Sequence, residues 1–222
     1  MAESKSTWNL IAVPALITLA ITIIRLVGEL QHWPSPLFSN QPGGGGAIVG
    51  ISWLPILFGP WFAVKLASSG DGPASSGKSI GFAILALAVL FGSMAWAQSM
   101  FAHPSWLLLA PFALMLASAF IPGIAWKALG RTLFAYALAA RIPVLVVMFI
   151  AMSGNGGTGW GTHYDAISPI FAQASFARKY LYEALIPQAT LWMGWTVVVG
   201  AVFGTVVAAV ARRGKPAAQP AG

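Results

Sequence analysis

Between Lys78 and Lys127 the chain carries no ionisable side chain except His103. Two apolar blocks occupy that stretch, Ile80–Met100 and Trp106–Trp126, joined by Phe101-Ala102-His103-Pro104-Ser105. A hydrocarbon core about 30 Å thick takes about 20 apolar residues in a helix. Each block has that length, and the joint is too short for anything but a helical hairpin. The same test along the chain gives four more segments: Trp8–Val27, Ala47–Ala67, Leu133–Met152 and Thr190–Val210. The pattern predicts an all-α polytopic membrane protein with six transmembrane helices in one domain, residues 1–211. A disordered basic tail, residues 212–222, follows. The first apolar segment exceeds the roughly 7–15 residues of a signal-peptide core, so it reads as a retained span.

The connections differ in character. Ser68–Ser79 is small, polar and rich in Gly and Ser, which predicts a flexible linker. Gln31–Gly46 ends in four consecutive glycines, Gly43 to Gly46, that open into the second span. No Gly-Lys-Ser/Thr follows them, so the run reads as a slack loop rather than a phosphate cradle. The fifth connection, Ser153–Ala189, is long enough for structure of its own. Its first half is glycine-rich. Its second half, Ala174–Pro187, places Phe176, Tyr180, Leu181 and Ala184 on one face and the i,i+4 pair Lys179 and Glu183 on the other. This predicts a short amphipathic helix lying at the outer interface.

Composition agrees with the pattern. The chain of 222 residues is 58% hydrophobic and 8% charged, against about 25% charged in soluble domains. The net charge of +7 comes from residues at span ends, where orientation and anionic lipid account for it. No basic patch with interleaved aromatics points to nucleic acid. If both termini share a side, that side holds Lys5, Lys65, Lys78, Lys127, Arg131, Arg212, Arg213 and Lys215, and the other side only Arg178 and Lys179. The bias predicts cytoplasmic termini in a bacterial-type plasma membrane. Trp8, Trp33, Trp106, Trp126, Trp192 and Trp195 fall near span ends, as interfacial indoles do. Cysteine is absent, which excludes disulfides and thiolate metal sites.

A few residues do not belong in such a chain. Arg141 lies within the fifth span, about 12 Å and about 16 Å from its ends at 1.5 Å per residue. A guanidinium at mid-span costs about 2.5–3.5 kcal/mol even on lenient scales. The five acids, Glu3, Glu29, Asp71, Asp165 and Glu183, all lie away from mid-depth. The expectation is a cavity around Arg141 that binds or passes a small anionic or amphipathic solute, with Arg25 and Glu29 at its outer rim. Arg25 and Glu29, at i,i+4, also read as a plain interfacial ion pair. Pro55 and Pro60 free carbonyls in the second span and mark it as a bendable wall.

Two further readings remain. His32, His103 and His163 all fall in outer connections, and with Asp165 they form a donor set suited to zinc or copper. That would make a metal-assisted enzyme acting on a lipid-like substrate, although no spacing matches a known metal pattern and no cofactor is otherwise expected. Gly200 and Gly204 form a GxxxG stripe in the sixth span. It serves packing within the bundle or contact with another copy or subunit, and so leaves room for a structural subunit of a larger complex.

Overall fold

The computed structural model describes residues 7–44, 46–100, 107, 109–154 and 159–213. Among these residues there are helices and connections and no strand. Helix α1 runs Thr7–Leu30, α2 Leu54–Ser68, α3 Ser76–Met100, α4 Leu109–Ser118, α5 Ile121–Ala125 and α6 Lys127–Ser153. Two α-helical pieces, α7 (Phe176–Lys179) and α8 (Met193–Arg213), are joined through π-helical Tyr180–Leu185 and Gln188–Trp192. Together they make one continuous helix, Phe176–Arg212.

Among the described residues four helices are long and apolar enough to cross a membrane: Thr7–Leu30, Ser76–Met100, Lys127–Ser153 and Phe176–Arg212. Their side-chain distribution is that of a protein built for lipid. On α1 the buried stripe is the more polar one, Thr18, Thr22, Arg25 and Glu29, while Leu16, Ile23 and Ile24 stay exposed. In water that inversion would squander the burial energy of the large aliphatics.

The last helix is the axis of the bundle, with α2, α3, α4 and α6 all packing on it. Helix α1 lies outside, against α6, where the Thr18 and Tyr136 hydroxyls share a hydrogen bond of 2.8 Å. Gly59 of α2 meets Gly200 and Gly204 of α8 directly, backbone against backbone. With no side chain between them, van der Waals contact over the whole crossing replaces the hydrophobic drive missing in lipid.

The structure departs from the pattern-based reading in four places. Helix α2 starts at Leu54, not Ala47, and has 15 residues. The backbone N–H groups of Ile48 and Val49 are donated to the Pro36 and Leu37 carbonyls, so this stretch is tied to the preceding loop instead of a helix. Pro55, with its fixed φ, then begins the helix. The expected fourth span is two helices, α4 and α5, interrupted at Ala119–Phe120 ahead of Pro122.

The expected separate amphipathic helix over Ala174–Pro187 is the N-terminal end of the final helix. Pro187 does not break it because it sits between two π-helical stretches, whose wider turn relieves the clash between a proline ring and the preceding turn. Lastly, the Ser68–Ser79 segment is held, not slack. Asp71 O accepts the Trp126 indole N–H at 2.7 Å, and Pro73 O accepts from Arg212 at 2.8 Å. Arg212, the first residue of the expected tail, still belongs to α8; residues 214–222 lie outside the described residues.

Candidate functional site

Arg141 is buried, at 5% exposure. It lies near the middle of α6, about 20 Å from either end of the helix. One Nη2–H donates to Thr196 Oγ1 at 3.0 Å, and the guanidinium carbon lies 5.2 Å from the centre of the Trp192 ring. The ring face offers a cation–π contact. Among the described residues no carboxylate lies within 4.0 Å of this cation, and its Nε–H has no hydrogen-bond partner.

Arg141 forms part of the wall of a cavity of about 280 Å³. Five chain segments enclose it. Helix α1 supplies Thr22 and Arg25, and the irregular stretch before α2 supplies Gly43, Ile51 and Ser52. Helix α6 adds Val144 and Met148 beside Arg141, and the long outer connection adds His163, Tyr164 and Ala166. The two π-helical stretches and the proline between them contribute Glu183, Pro187, Gln188, Leu191 and Trp192. Gln188 Oε1 is a second buried polar atom without a hydrogen-bond partner among the described residues. One wall set therefore holds an orphan donor and an orphan acceptor, unlike the satisfied polar atoms typical of protein interiors.

The part of the cavity wall that carries Arg25 and His163 is fixed by Glu29. Its carboxylate accepts the Arg25 Nε–H at 2.8 Å, the His163 backbone N–H at 2.9 Å and a contact from His163 Nδ1 at 2.7 Å. A ring nitrogen this close to a carboxylate carries its proton, so Nδ1 is the donor. Nε2 is then left as a lone pair with no partner among the described residues. Burial pushes the His163 pKa below its ordinary 6.5, against the pull of the Glu29 carboxylate. Burial likewise raises that of the neighbouring Tyr164, whose hydroxyl donates to Thr22 O at 3.3 Å. The pair Arg25–Glu29, expected as an interfacial ion pair or as the rim of the cavity, is an ion pair buried within the protein (8% and 3% exposed) that clamps the loop carrying His163 onto α1.

Asp165 holds that connection in shape. Oδ2 accepts from the Trp160 and Gly161 N–H groups, and Oδ1 from the Thr162 N–H and hydroxyl, all within 3.0 Å. Its oxygens are occupied by the loop itself. His32 is exposed at the end of α1 with φ 52°, and His103 lies outside the described residues. Among the described residues no three of His, Cys, Asp and Glu gather closely enough to hold a metal ion.

The remaining sequence candidates stand away from the cavity. Pro55 and Pro60 belong to α2 but do not line the cavity; Ile51 and Ser52 immediately before that helix do. Gly204 faces α2, and Gly200 meets Gly59 of α2 through its backbone while its open side faces Leu133 of α6. Sequence reasoning missed the contact between Glu29 and His163, 134 positions apart. The usable signal was that Glu29 and Glu183 are acids close to ends of apolar segments: Glu183 lines the cavity, and Glu29 holds two residues that do, Arg25 and His163. Comparison with protein families, curated proteins and solved structures finds no match for this chain.

Proposed function

We propose that this protein binds, and in its membrane passes, a small organic anion with an apolar body. The observation that carries the proposal is the buried Arg141 guanidinium, without a carboxylate partner, in the wall of a cavity of about 280 Å³. That volume lies just under the roughly 300–1,000 Å³ of drug-sized sites, which favours a small solute. An oxyanion placed on Arg141 would receive the free Nε–H and gain a charge-assisted hydrogen bond. Val144, Met148, Leu191 and Trp192 provide apolar surface for the rest of the molecule.

In this reading α2 and the Leu109–Ala125 pair also cross the bilayer, which makes six crossings. Lys65, Lys127, Arg131 and Arg212 occupy the cytoplasmic end with both termini, and the cavity opens to the outer side. The irregular chain before α2 lies at membrane depth only where it lines the cavity, as lipid requires.

The test is thermal unfolding of purified parent, Arg141→Ala and Arg141→Lys in detergent, with sodium hexanoate or sodium hexanesulfonate against hexanol. The parent should be stabilised by the anions and not by the alcohol, Arg141→Lys should respond weakly, and Arg141→Ala should not respond. An identical lack of response in all three proteins would eliminate the anion site.

A further inference from the structure

We infer that the solute anion enters this cavity together with a proton, and that the proton lands on His163 Nε2. The inference rests on the anion-binding reading above and adds its stoichiometry and its second binding group.

The argument begins with charge. Four charged side chains line the cavity or bond to its lining side chains: Arg25 and Glu29 from α1, Arg141 from α6 and Glu183 from the final helix; a fifth, Asp165, stands between the lining residues Tyr164 and Ala166 with its oxygens held by its own loop. Glu183 Oε1 accepts the backbone N–H and the hydroxyl of Ser168, and the side chain is counted as the carboxylate that glutamate ordinarily is near neutral pH. Two cations stand against two carboxylates, or three with Asp165, so the site carries no net positive charge. An anion added alone would leave a net negative charge in a site of low dielectric, where an unbalanced charge is costly. An anion added with a proton keeps the balance.

Geometry selects the acceptor. His163 is the one neutral base among the cavity's described wall residues. Its Nδ1–H is committed to Glu29 at 2.7 Å, which fixes the ring and leaves Nε2 as the only nitrogen able to accept. The carboxylate behind the ring stabilises an imidazolium once it forms, in the manner of any carboxylate–histidine pair. The groups that face the imidazole are Glu29 and Arg25 on α1, Tyr164 and Asp165 in its own loop, and Arg141 and Glu183 across the cavity. Arg25 opposes the proton, while Glu29 and Asp165 favour it. A bound anion adds one more favourable charge. The step balances as solute⁻ plus H⁺ plus neutral imidazole giving solute⁻ on Arg141 beside imidazolium, and no further reactant is needed.

The experiment is calorimetric titration of the purified full chain with sodium hexanesulfonate at pH 7.5 in two buffers of different ionisation enthalpy. Hexanesulfonate is the probe because a sulfonate does not itself take up a proton in this range, so any uptake belongs to the protein. The expected result is uptake of close to one proton per anion. The apparent Kd should also rise about tenfold per pH unit as pH increases above neutrality.

In His163→Asn, the amide can still donate to Glu29 but has no group in place of Nε2; binding should persist with uptake near zero and a flat pH profile. Hexanesulfonate binding to the parent without proton uptake overturns the inference and leaves the anion site standing. Uptake retained in His163→Asn but lost in Glu183→Gln overturns it in favour of Glu183. No binding to the parent overturns both. If His163→Asn does not fold, the parent titration still decides between uptake and none.

Discussion

Gly59 and Gly200 meet so closely that a Cβ on Gly59 would overlap the Gly200 carbonyl oxygen. Gly204 closes the same contact, its missing Cβ 2.7 Å from Gly59 O. The obstacle at Gly59 is backbone, which cannot swing aside. Gly59→Ala should therefore force α2 away from α8 and cost about 1–3 kcal/mol or more, the range for overpacking. Gly92 on α3 has nothing near its missing Cβ, so Gly92→Ala should be neutral or stabilising by about 0.5–1 kcal/mol. Thermal unfolding of the two variants in one detergent checks the contrast.

Removing the Glu29 carboxylate takes away the acceptor of the Arg25 Nε–H and of the His163 N–H groups. Breaking a buried ion pair from one side costs about 3–5 kcal/mol. Glu29→Ala should lower the unfolding temperature markedly and expose the outer connection. Arg25→Ala, which leaves His163 as a donor to Glu29, should be milder. Cleavage within residues 159–168 by a protease added from outside should accelerate in Glu29→Ala first.

The buried imidazole predicts a pH dependence of definite sign. The His163 pKa is lowered on folding, so the folded state favours the neutral ring. Its contribution is fully present above the ordinary value of 6.5 and is lost as pH falls through the lower folded value. Without added anion, the unfolding temperature of the parent should drop between pH 7.5 and 5, and the slope should be shallower in His163→Asn. A parent curve flat over that window would contradict the burial of a neutral imidazole.

Arg141 is an expensive residue to keep. It makes one hydrogen bond and one ring contact against an insertion cost of about 2.5–3.5 kcal/mol. Arg141→Met, similar in length and apolar, should unfold at the same temperature as the parent or higher, and should lose all response to hexanesulfonate. A large loss of stability would mean that the guanidinium holds the helices together instead of serving a solute.

Asp165 receives four hydrogen bonds from its own loop. Asp165→Asn keeps the shape but replaces acceptor capacity with an NH₂ group that faces N–H donors. It should loosen the loop that carries His163, raising proteolysis there and weakening hexanesulfonate binding about tenfold or less, an effect of about 1 kcal/mol. Loss of bound zinc or copper is not part of this expectation, since the oxygens of Asp165 are filled by the loop.

What the sequence disclosed follows from which forces act locally. Apolar length marks a membrane helix wherever the helix is regular, so Ile80–Met100 and Leu133–Met152 fall inside α3 and α6. The same count fails at Ala47–Trp53, where apolar residues line a cavity edge in irregular backbone and their N–H groups are bonded to the preceding loop. It also fails at Pro187, because a proline's effect depends on whether the surrounding turns are α or π, and that is decided by packing. Arg141 was legible as an anomaly since its cost is intrinsic to its position. Its surroundings were not legible, because Glu29, His163 and Glu183 come together through contacts separated by most of the chain.

The 15 residues of α2 reach about 22 Å, while a typical hydrocarbon core measures about 30 Å. Leu57 and Val64 on this helix are exposed, so in the proposed six-crossing arrangement acyl chains would lie against it and would shorten or tilt to match. The outer leaflet would be pinched beside Ile51 and Ser52. Head groups drawn inward there would bring a water-rich dimple to the flank of the protein, and a solute dissolved among the lipids could meet the cavity from the side.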